Sequence, residues 1–375
     1  MSAAGSDKLR VVIAGGGTGG HVIPALSIAR ELRDRHGASV HFIGTERGLE
    51  TKLVPEAGFP ISYVRVGMLK NVSLLTRAKT LGDLPRGVLH CMRLLREIDP
   101  QVVIGVGGYA SGPAMIAAIL KRIPTMVFEP NAVPGMVNRA VGKWVNAAAV
   151  SFSSALPYFR HARVTGRPVR PEFFAISPKL EGSPRLLVMG GSQGARALNE
   201  VVPQIASWLL ANVPGLTIVH QAGARHEAAT REAYERARVD ARRYEVHAFL
   251  NDIPAACAGA DLILCRSGGT VEELCAAGRA SVLVPFPQAA DDHQRKNAES
   301  MVAGGASIMI LEKNMTPGAL RETLRDLLME PARLEAMGEA ARKMAHPRAV
   351  EEIGEMAIEA ASQVKSNKSA SQQVS

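Results

Sequence analysis

Two glycine-rich turns, far apart in the chain, have the clearest chemical potential. The first lies in VVIAGGGTGGH (residues 11–21) and the second in LLVMGGSQGAR (residues 186–196). Each follows a short apolar run and precedes residues with helical spacing. A strand, a glycine turn and a helix start together bind anions, because unpaired backbone N–H groups and the helix dipole converge there. Two such sites favour a cleft for a phosphorylated ligand between two nucleotide folds over a single dinucleotide fold.

The first turn matches the pattern GxGxxG through Gly15, Gly17 and Gly20, which also fits a dinucleotide-binding dehydrogenase. Such a dehydrogenase has an acidic residue at the end of its second strand, where Glu46 fits only loosely. His21 directly follows the last glycine, and an imidazole there is suited to take a proton from an acceptor hydroxyl. The alternative is that His21 only helps to hold a phosphate.

Two later turns have the same form. In GGSQGAR, Ser192 supplies donors for a diphosphate, and the alternative is a tight strand–helix turn without a ligand. In RSGGTVEEL (residues 266–274), Thr270 is placed to cap a helix. Glu272 or Glu273 is placed to accept hydrogen bonds from ribose hydroxyls, and the alternative is that both only complement the helix dipole.

Other predicted strand ends also carry polar side chains. Gln294 and Asn297 follow the strand in SVLVPFP and suit sugar hydroxyls, because α/β proteins bind ligands at the carboxyl ends of strands. The acidic and imidazole groups of residues 291–293 lack a supporting set of metal ligands, so a solvated loop is the alternative. In the first half of the chain, the side chains that would face a second ligand are Tyr109, Glu129 and Asn131. The alternative is that they belong to ordinary loops without a ligand.

These residues require alternating strands and helices to position them. The apolar runs VVIAG, SVHFIG, VVIGVGG and TMVFEP alternate with helical stretches, and the pattern restarts with RLLVMGG, LTIVHQAG, YEVHAFL, DLILCRSGG and SVLVPFP. This is typical of an α/β fold with parallel sheets. We place the boundary near residues 165–184. The predicted parts are a domain at 1–168, a domain at 169–346, a helix at 347–364 and a polar, disordered tail at 365–375.

The bulk composition agrees with this division. A chain of 375 residues suits two domains, and 47% hydrophobic with 21% charged residues is the balance of a soluble globular protein. The formal net charge of +9 favours partners with phosphates or an anionic membrane surface. Aromatic residues are only 4%, and no nucleic-acid motif is present, so nucleic acid ranks below a phosphorylated small molecule or lipid.

The cysteines and the apolar stretches indicate the compartment. None of the four cysteines forms a CxxC pair, which favours buried thiols in a reducing compartment over a zinc site. The N-terminus runs straight into a strand without a secretory apolar region. The longest apolar stretch, residues 113–120, is far shorter than the roughly 20 residues of a membrane span. We therefore expect a cytosolic protein, or one attached to a membrane from the cytosolic side.

Residues 65–96 depart from the α/β pattern. They mix leucines with lysines and arginines, as an interfacial membrane patch does. The alternative is a long loop and an amphipathic helix that buries its leucines.

The motifs together resemble the MurG family, the UDP-N-acetylglucosamine:N-acetylmuramyl-(pentapeptide) pyrophosphoryl-undecaprenol N-acetylglucosamine transferases. The matching segments run in the family's order from about residue 11 to residue 345: GGGTGGHVIPAL, GGYASGP, EPN, GRPVR, GGSQGAR, HQAG, CRSGGTVEEL and DDHQRKNAE. The resemblance implies a GT-B fold, in which two Rossmann-like domains with parallel sheets face each other across a cleft. It also implies that the last helix packs back on the first domain.

The resemblance further implies the reaction. N-acetylglucosamine moves from UDP to the muramoyl 4-hydroxyl of lipid I with inversion, giving lipid II for peptidoglycan synthesis. No metal or other cofactor is implied, and the setting is the cytoplasmic face of the cell membrane. With this resemblance, the membrane interpretation of residues 65–96 is preferred. The alternatives are another lipid-directed GT-B enzyme, similar to a diacylglycerol glucosyltransferase, and a non-catalytic nucleotide-sugar-binding protein.

The resemblance also assigns site residues by matching position. His21 is the candidate catalytic base, and Tyr109 and Glu129 are candidate acceptor contacts. Leu250 matches a position whose backbone meets uracil. The first glycine turn would serve the acceptor's pyrophosphate and the second the donor's diphosphate. The full set of predicted donor contacts is Thr18, Gly19, Gly20, Asn131, Arg170, Ser192, Leu250, Gly269, Thr270, Glu273 and Gln294.

Overall fold

The computed structural model describes residues 8–65, 74–179, 182–191 and 193–372. They form two compact α/β units. The first unit comprises the chain up to residue 168 together with the chain from residue 348, and the second comprises residues 169–347.

A parallel sheet of seven described strands forms the centre of the first unit, in the order β3-β2-β1-β4-β5-β6-β7. Its strands are β1 (Arg10–Gly15), β2 (Ser39–Gly44), β3 (Ile61–Tyr63), β4 (Val102–Gly107), β5 (Thr125–Glu129), β6 (Ala147–Val150) and β7 (Ala162–Val164). The helices that follow them are α1 (Gly19–Asp34), α2 (Glu50–Glu56), α3 (Leu74–Ile98), α4 (Ser111–Leu120) and α5 (Met136–Val141). The central strands are almost continuously apolar because both faces of the sheet are covered.

The second unit has the same plan around a parallel sheet of six described strands, in the order β10-β9-β8-β11-β12-β13. The strands are β8 (Arg185–Met189), β9 (Thr217–Gln221), β10 (Tyr244–His247), β11 (Leu262–Cys265), β12 (Ala280–Leu283) and β13 (Ser307–Met309). The helices are α6 (Pro171–Phe174), α7 (Arg196–Asn212), α8 (Glu227–Arg236), α9 (Ile253–Gly259), α10 (Thr270–Ala277), α11 (His293–Ala303), α12 (Pro317–Leu328) and α13 (Pro331–Lys343).

A last helix, α14 (Ala349–Gln372), belongs to the first unit. Its residues Ile353, Met356 and Ala357 are buried in the same core as the central strand β1. The ion pair between Arg163 and Glu359, at 2.7 Å, adds a polar contact at the surface.

The strands and the α/β alternation predicted from the sequence are confirmed. The final helix differs in its bounds, because it begins at Ala349 and continues to Gln372 through the stretch that we expected to be disordered. The Lys, Gln and Ala residues in that stretch are good helix formers, so its polarity alone did not exclude a helix. Residues 66–73 of the predicted membrane patch lie outside the described residues. No helix in the described part of the chain is long and apolar enough to cross a membrane.

Candidate active site

The first glycine turn lies where β1 ends, at the carboxyl edge of the first sheet. Gly16 has a φ of +156°, and a Cβ atom there would lie 2.3 Å from the carboxylate of Glu50. The neighbouring Gly15 could not carry a side chain either, because its Cβ would lie 2.3 Å from the carbonyl oxygen of Gly107. The turn therefore requires glycine for close approach to two other loops.

Only part of this turn has backbone N–H groups to offer an anion. The Gly16 N–H donates to the Gly107 carbonyl at 3.3 Å, and the Gly17 N–H donates to the Glu50 carboxylate at 2.7 Å. The next glycines, Gly19 and Gly20, are the first two residues of α1, where helix geometry leaves N–H groups without an intrahelical partner. The N–H groups of this turn that remain for a ligand thus lie at the helix start, with Thr18 exposed at the N-cap.

Glu50 is a residue of this site that the sequence analysis missed. Its side chain is 1% exposed. One carboxylate oxygen accepts from the Gly17 N–H, and the other accepts from the N–H and the hydroxyl of Thr45 at 3.0 and 2.8 Å. The carboxylate therefore fixes the first glycine turn to the loop after β2. Its partner Gly17 is 33 residues away in sequence, and no local motif indicates the contact.

His21, the candidate base, is the third residue of α1, and its side chain is partly exposed. Its ring lies against Gly107, because a Cβ atom on that glycine would be 3.0 Å from the ring Nε2. The amide nitrogen of Asn138 lies on the same side, 3.8 Å from that Cβ position. Gly107 therefore makes the space in which the imidazole sits at the edge of the sheet.

Glu129 ends β5 and is 1% exposed. Its carboxylate accepts from the backbone N–H and the side-chain amide of Asn131, the Gly135 N–H and the side-chain amide of Asn138, at 2.9–3.1 Å. Burial raises the pKa of this carboxyl, and the four hydrogen bonds oppose that rise. Glu129 thus braces the loop that carries Asn131. Its predicted contact with the acceptor stays a prediction.

Tyr109 is partly exposed in the loop between β4 and α4. This loop approaches the first glycine turn closely, since a Cβ atom on Gly108 would lie 2.4 Å from the carbonyl oxygen of Gly16. The structure therefore brings His21, at the start of α1, and Tyr109, in the loop after β4, to the same edge of the first sheet.

The second glycine turn links β8 to α7 and packs against the loop after β9. Gly194 has a φ of +77°, and a Cβ atom there would lie 2.1 Å from the Ala222 carbonyl oxygen. Gly223 faces the turn in return, with its Cβ position 2.6 Å from the Gly194 nitrogen. The HQAG segment is thus the support of this turn. Ser192, the predicted diphosphate contact, lies outside the described residues.

The third turn links β11 to α10 at the same sheet edge. Gly269 is the N-cap of α10, and no side-chain capping bond is made there. Thr270 is the first residue of the helix. The capping role expected for Thr270 is therefore corrected: the helix begins one residue earlier than a threonine cap would allow. Glu272 and Glu273 lie in the first turn of the helix, where the helix dipole favours carboxylates.

Gln294 lies at the start of α11, beside this turn. Its side-chain oxygen accepts from the Phe286 N–H at 3.0 Å, and its backbone carbonyl accepts from the Ser267 hydroxyl at 2.7 Å. The buried Asn297 donates to the Ser267 carbonyl at 3.2 Å. These bonds hold the RSGG turn, the Phe286 loop and α11 together. A Cβ atom on Gly268 would lie 3.8 Å from the side-chain amide nitrogen of Gln294.

Arg266 is a second residue that the sequence analysis missed. Its guanidinium donates to the carbonyls of Val284 and Pro285 at 3.1 and 3.3 Å and pairs with Glu312 at 2.5 Å. It also lies over the Phe286 ring at 5.3 Å. Arg266 therefore fixes the loop after β12, and its signal in the sequence is only that it is the first residue of the RSGG turn.

Two further predicted donor contacts, Arg170 and Leu250, lie in the second unit. Arg170 is the N-cap of α6, with an exposed side chain whose guanidinium lies 5.2 Å from the centre of the Phe173 ring. Leu250 is partly exposed in the loop between β10 and α9, beside the 56% exposed Phe249. Asp252 caps α9 by accepting from the Ala255 N–H, which fixes the end of that loop.

Two family models match the chain in succession. The glycosyltransferase family 28 N-terminal domain matches residues 11–150, and the glycosyltransferase family 28 C-terminal domain matches residues 185–353. The fold and the glycine turns at both sheet edges thus define a glycosyltransferase of family 28.

Relatives that match over nearly their whole length identify the family within this class. The UDP-N-acetylglucosamine--N-acetylmuramyl-(pentapeptide) pyrophosphoryl-undecaprenol N-acetylglucosamine transferase of Solibacter usitatus is 45% identical over 93% of this chain and 96% of its own. That of Anaeromyxobacter sp. strain Fw109-5 is 43% identical over 94% of this chain and 93% of its own. The crystal structure of Acinetobacter baumannii MurG has a TM-score of 0.81 at 30% identity, covering 94% of this chain and 99% of that one. The chain belongs to the MurG family.

A more distant structure shares only the fold. The UDP-GlcNAc 2-epimerase of Neisseria meningitidis, solved bound to UDP-GlcNAc, has a TM-score of 0.63 at 13% identity over 94% of this chain and all of its own. The family resemblance and the two-domain, parallel-sheet GT-B fold expected from the sequence are both confirmed.

Proposed function

We propose that this chain transfers N-acetylglucosamine from UDP-GlcNAc to the muramoyl 4-hydroxyl of lipid I, the undecaprenyl pyrophosphate of an N-acetylmuramyl pentapeptide. The product is lipid II, the precursor of peptidoglycan. The observation that carries this proposal is the near-complete match to family members named for that transfer. Of the alternatives, neither a diacylglycerol glucosyltransferase nor a non-catalytic binding protein is favoured.

The donor binds the second unit in this proposal. The start of α10, with Gly269, Thr270 and Glu273, holds the phosphate and ribose, because a helix N-terminus favours phosphate and the carboxylate accepts from hydroxyls. Gln294 contacts the sugar, and the backbone at Leu250 meets the uracil. Arg170 and Ser192 also contact the donor.

The acceptor binds the first unit. The helix start at Gly19 and Gly20 receives the pyrophosphate of lipid I, because its N–H groups have no intrahelical partner. Tyr109 contacts the acceptor, and Glu129 acts by holding Asn131 in place. Thr18, Gly19, Gly20 and Asn131 remain predicted contacts of the donor sugar.

The chemistry is an inverting displacement. His21 takes the proton of the 4-hydroxyl as its oxygen attacks the anomeric carbon from the face opposite UDP. The departing diphosphate gains charge, which backbone N–H groups and helix dipoles stabilise. Loss of one such donor costs roughly 100- to 1,000-fold in rate.

A direct assay tests the proposal. We expect the purified protein to move labelled N-acetylglucosamine from UDP to a short-chain lipid I analogue and to release UDP in equal amount. A diacylglycerol acceptor serves as the control and should remain unlabelled. Labelling of diacylglycerol in place of the lipid I analogue would contradict the proposal, as would binding of UDP-GlcNAc without transfer to either acceptor.

We also propose that the first unit attaches to the cytoplasmic face of the cell membrane as a peripheral protein. Three large apolar side chains on or after helices α3, α4 and α5 are 57–73% exposed: Leu89, Leu120 and Trp144. α3 packs on α4, and α4 packs on α5. Exposed basic residues accompany them on these elements: Arg86, Arg93, Arg122 and Lys143. Apolar and basic groups together bind anionic interfaces.

Vesicle flotation tests this attachment. We expect the protein to float with anionic phosphatidylglycerol vesicles at low salt, and a Leu120→Ser/Trp144→Ser variant to remain largely in the soluble fraction. Raising the salt should weaken the binding of the wild type, because exposed charges are screened. Met329→Ser, which changes a 52% exposed side chain of the second unit, is the matched control. Wild-type protein that does not float at low salt would refute the attachment.

A further inference from the structure

A buried polar network lies beneath the second glycine turn. His220 on β9 is fully buried, and it contacts two side chains from different helices. Its Nε2 lies 3.0 Å from the side-chain oxygen of Asn199 on α7, and its Nδ1 lies 3.1 Å from the hydroxyl of Tyr234 on α8. The proposed reaction does not use any of these three residues.

The hydrogen bonds determine which group donates at each contact. The amide nitrogen of Asn199 donates to the Ala222 carbonyl at 2.9 Å, so its oxygen faces His220 and accepts from the ring Nε2–H. The Nδ1 of the neutral ring then accepts from the Tyr234 hydroxyl. Each residue of the network thus donates a hydrogen bond to the next one, and the last bond is accepted by the backbone carbonyl of Ala222.

That carbonyl is the one against which the second glycine turn packs. The Ala222 carbonyl oxygen lies 2.1 Å from the Cβ position of Gly194. The adjacent Ala222 N–H donates to the His247 carbonyl at 2.9 Å, and the Gly190 N–H donates to the Gln221 carbonyl at 3.1 Å. A shift of Ala222 is therefore passed directly to the turn.

We propose that Tyr234, His220 and Asn199 are positioning residues that hold the second glycine turn in the conformation that binds a nucleoside diphosphate. This inference rests on the proposed donor site in the second unit. Because the network reaches the turn through Ala222 and lies within the second unit, it acts on donor affinity and not on the acceptor. Polar groups buried in such a chain need every partner, since one missing bond leaves a neighbour unsatisfied.

The test measures UDP binding by isothermal titration calorimetry at 20 °C. We expect His220→Leu, which removes both hydrogen bonds of the central imidazole, to raise the Kd for UDP about tenfold. His220→Gln carries one donor and one acceptor and should restore most of the affinity. Tyr234→Phe should weaken binding by a smaller factor. Tyr244→Phe is the matched control, because it removes a hydroxyl from the ring stacked on Tyr234 at 4.5 Å but removes none of the relay's hydrogen bonds.

A second readout separates positioning from general loss of structure. In transfer assays, the KM for the lipid I analogue should stay at the wild-type value while the KM for UDP-GlcNAc rises. If His220→Leu does not fold, Tyr234→Phe against Tyr244→Phe gives the same comparison. Folded relay variants with wild-type UDP affinity would overturn the inference. Wild-type protein that does not bind UDP would refute the proposed donor site instead, so the two failures are distinguishable.

Discussion

Replacing His21 by alanine should lower turnover by about 100- to 10,000-fold, the range for loss of a positioned general base. The affinity for UDP-GlcNAc should remain nearly unchanged, because the proposed role of His21 is to take the acceptor's proton and His21 is not among the proposed donor contacts. The imidazole lies against Gly107 at the edge of the sheet, and we expect its removal to leave the backbone conformation there unchanged.

Steady-state kinetics with separate titration of both substrates checks this result. His161→Ala, which removes an exposed histidine of the same unit, is the control and should keep wild-type turnover. Added imidazole should recover part of the activity of His21→Ala by occupying the vacated space. Turnover of His21→Ala equal to that of the control would remove His21 from the mechanism. A rise in the lipid I KM with unchanged turnover would assign it to phosphate binding instead.

The sequence predicted those features that depend on local pattern. Buried parallel strands are short apolar runs, and the turns that follow them need glycine at particular positions. A strand followed by a glycine turn can therefore be predicted from the sequence alone in VVIAGGGTGG and RLLVMGGSQG. The last helix also has a local signal at its start. Its assignment to the first unit depends on Ile353 and Met356 packing against that unit's core, and only the family resemblance implied this arrangement.

The supports of the site could not be predicted in the same way. Glu50 and Gly17 meet across 33 residues, and His220 and Asn199 across 21. Each pair is defined by three-dimensional packing, and neither has a sequence spacing that distinguishes it from ordinary polar residues. The sequence also did not indicate that the Glu129 carboxylate accepts from the loop that follows it and from Asn138 on α5, and its contact with the acceptor stays a prediction.

The relay histidine should also make the second unit sensitive to acid. Burial lowers the pKa of His220 from 6.5 to about 3 in the folded protein. The unfolded chain therefore binds the proton more readily than the folded chain at every pH between these values. The stability that neutral His220 contributes is complete above pH 6.5 and is lost as the pH falls towards 3, by about 1.4 kcal/mol per unit. At pH 5 the loss should be about 2 kcal/mol.

Urea unfolding at pH 7 and pH 5 measures this loss. The chain has two tryptophans, so a Trp144→Phe background leaves Trp208 on α7 as the fluorescent probe of the second unit. In that background, the His220→Gln variant keeps a donor and an acceptor at this position but cannot titrate there. Between the two pH values, the free energy of unfolding should therefore fall by about 2 kcal/mol more in the protein that retains His220 than in the His220→Gln variant. Equal losses in the two proteins would show that His220 is not held neutral by the fold, because every other titrating group is common to both.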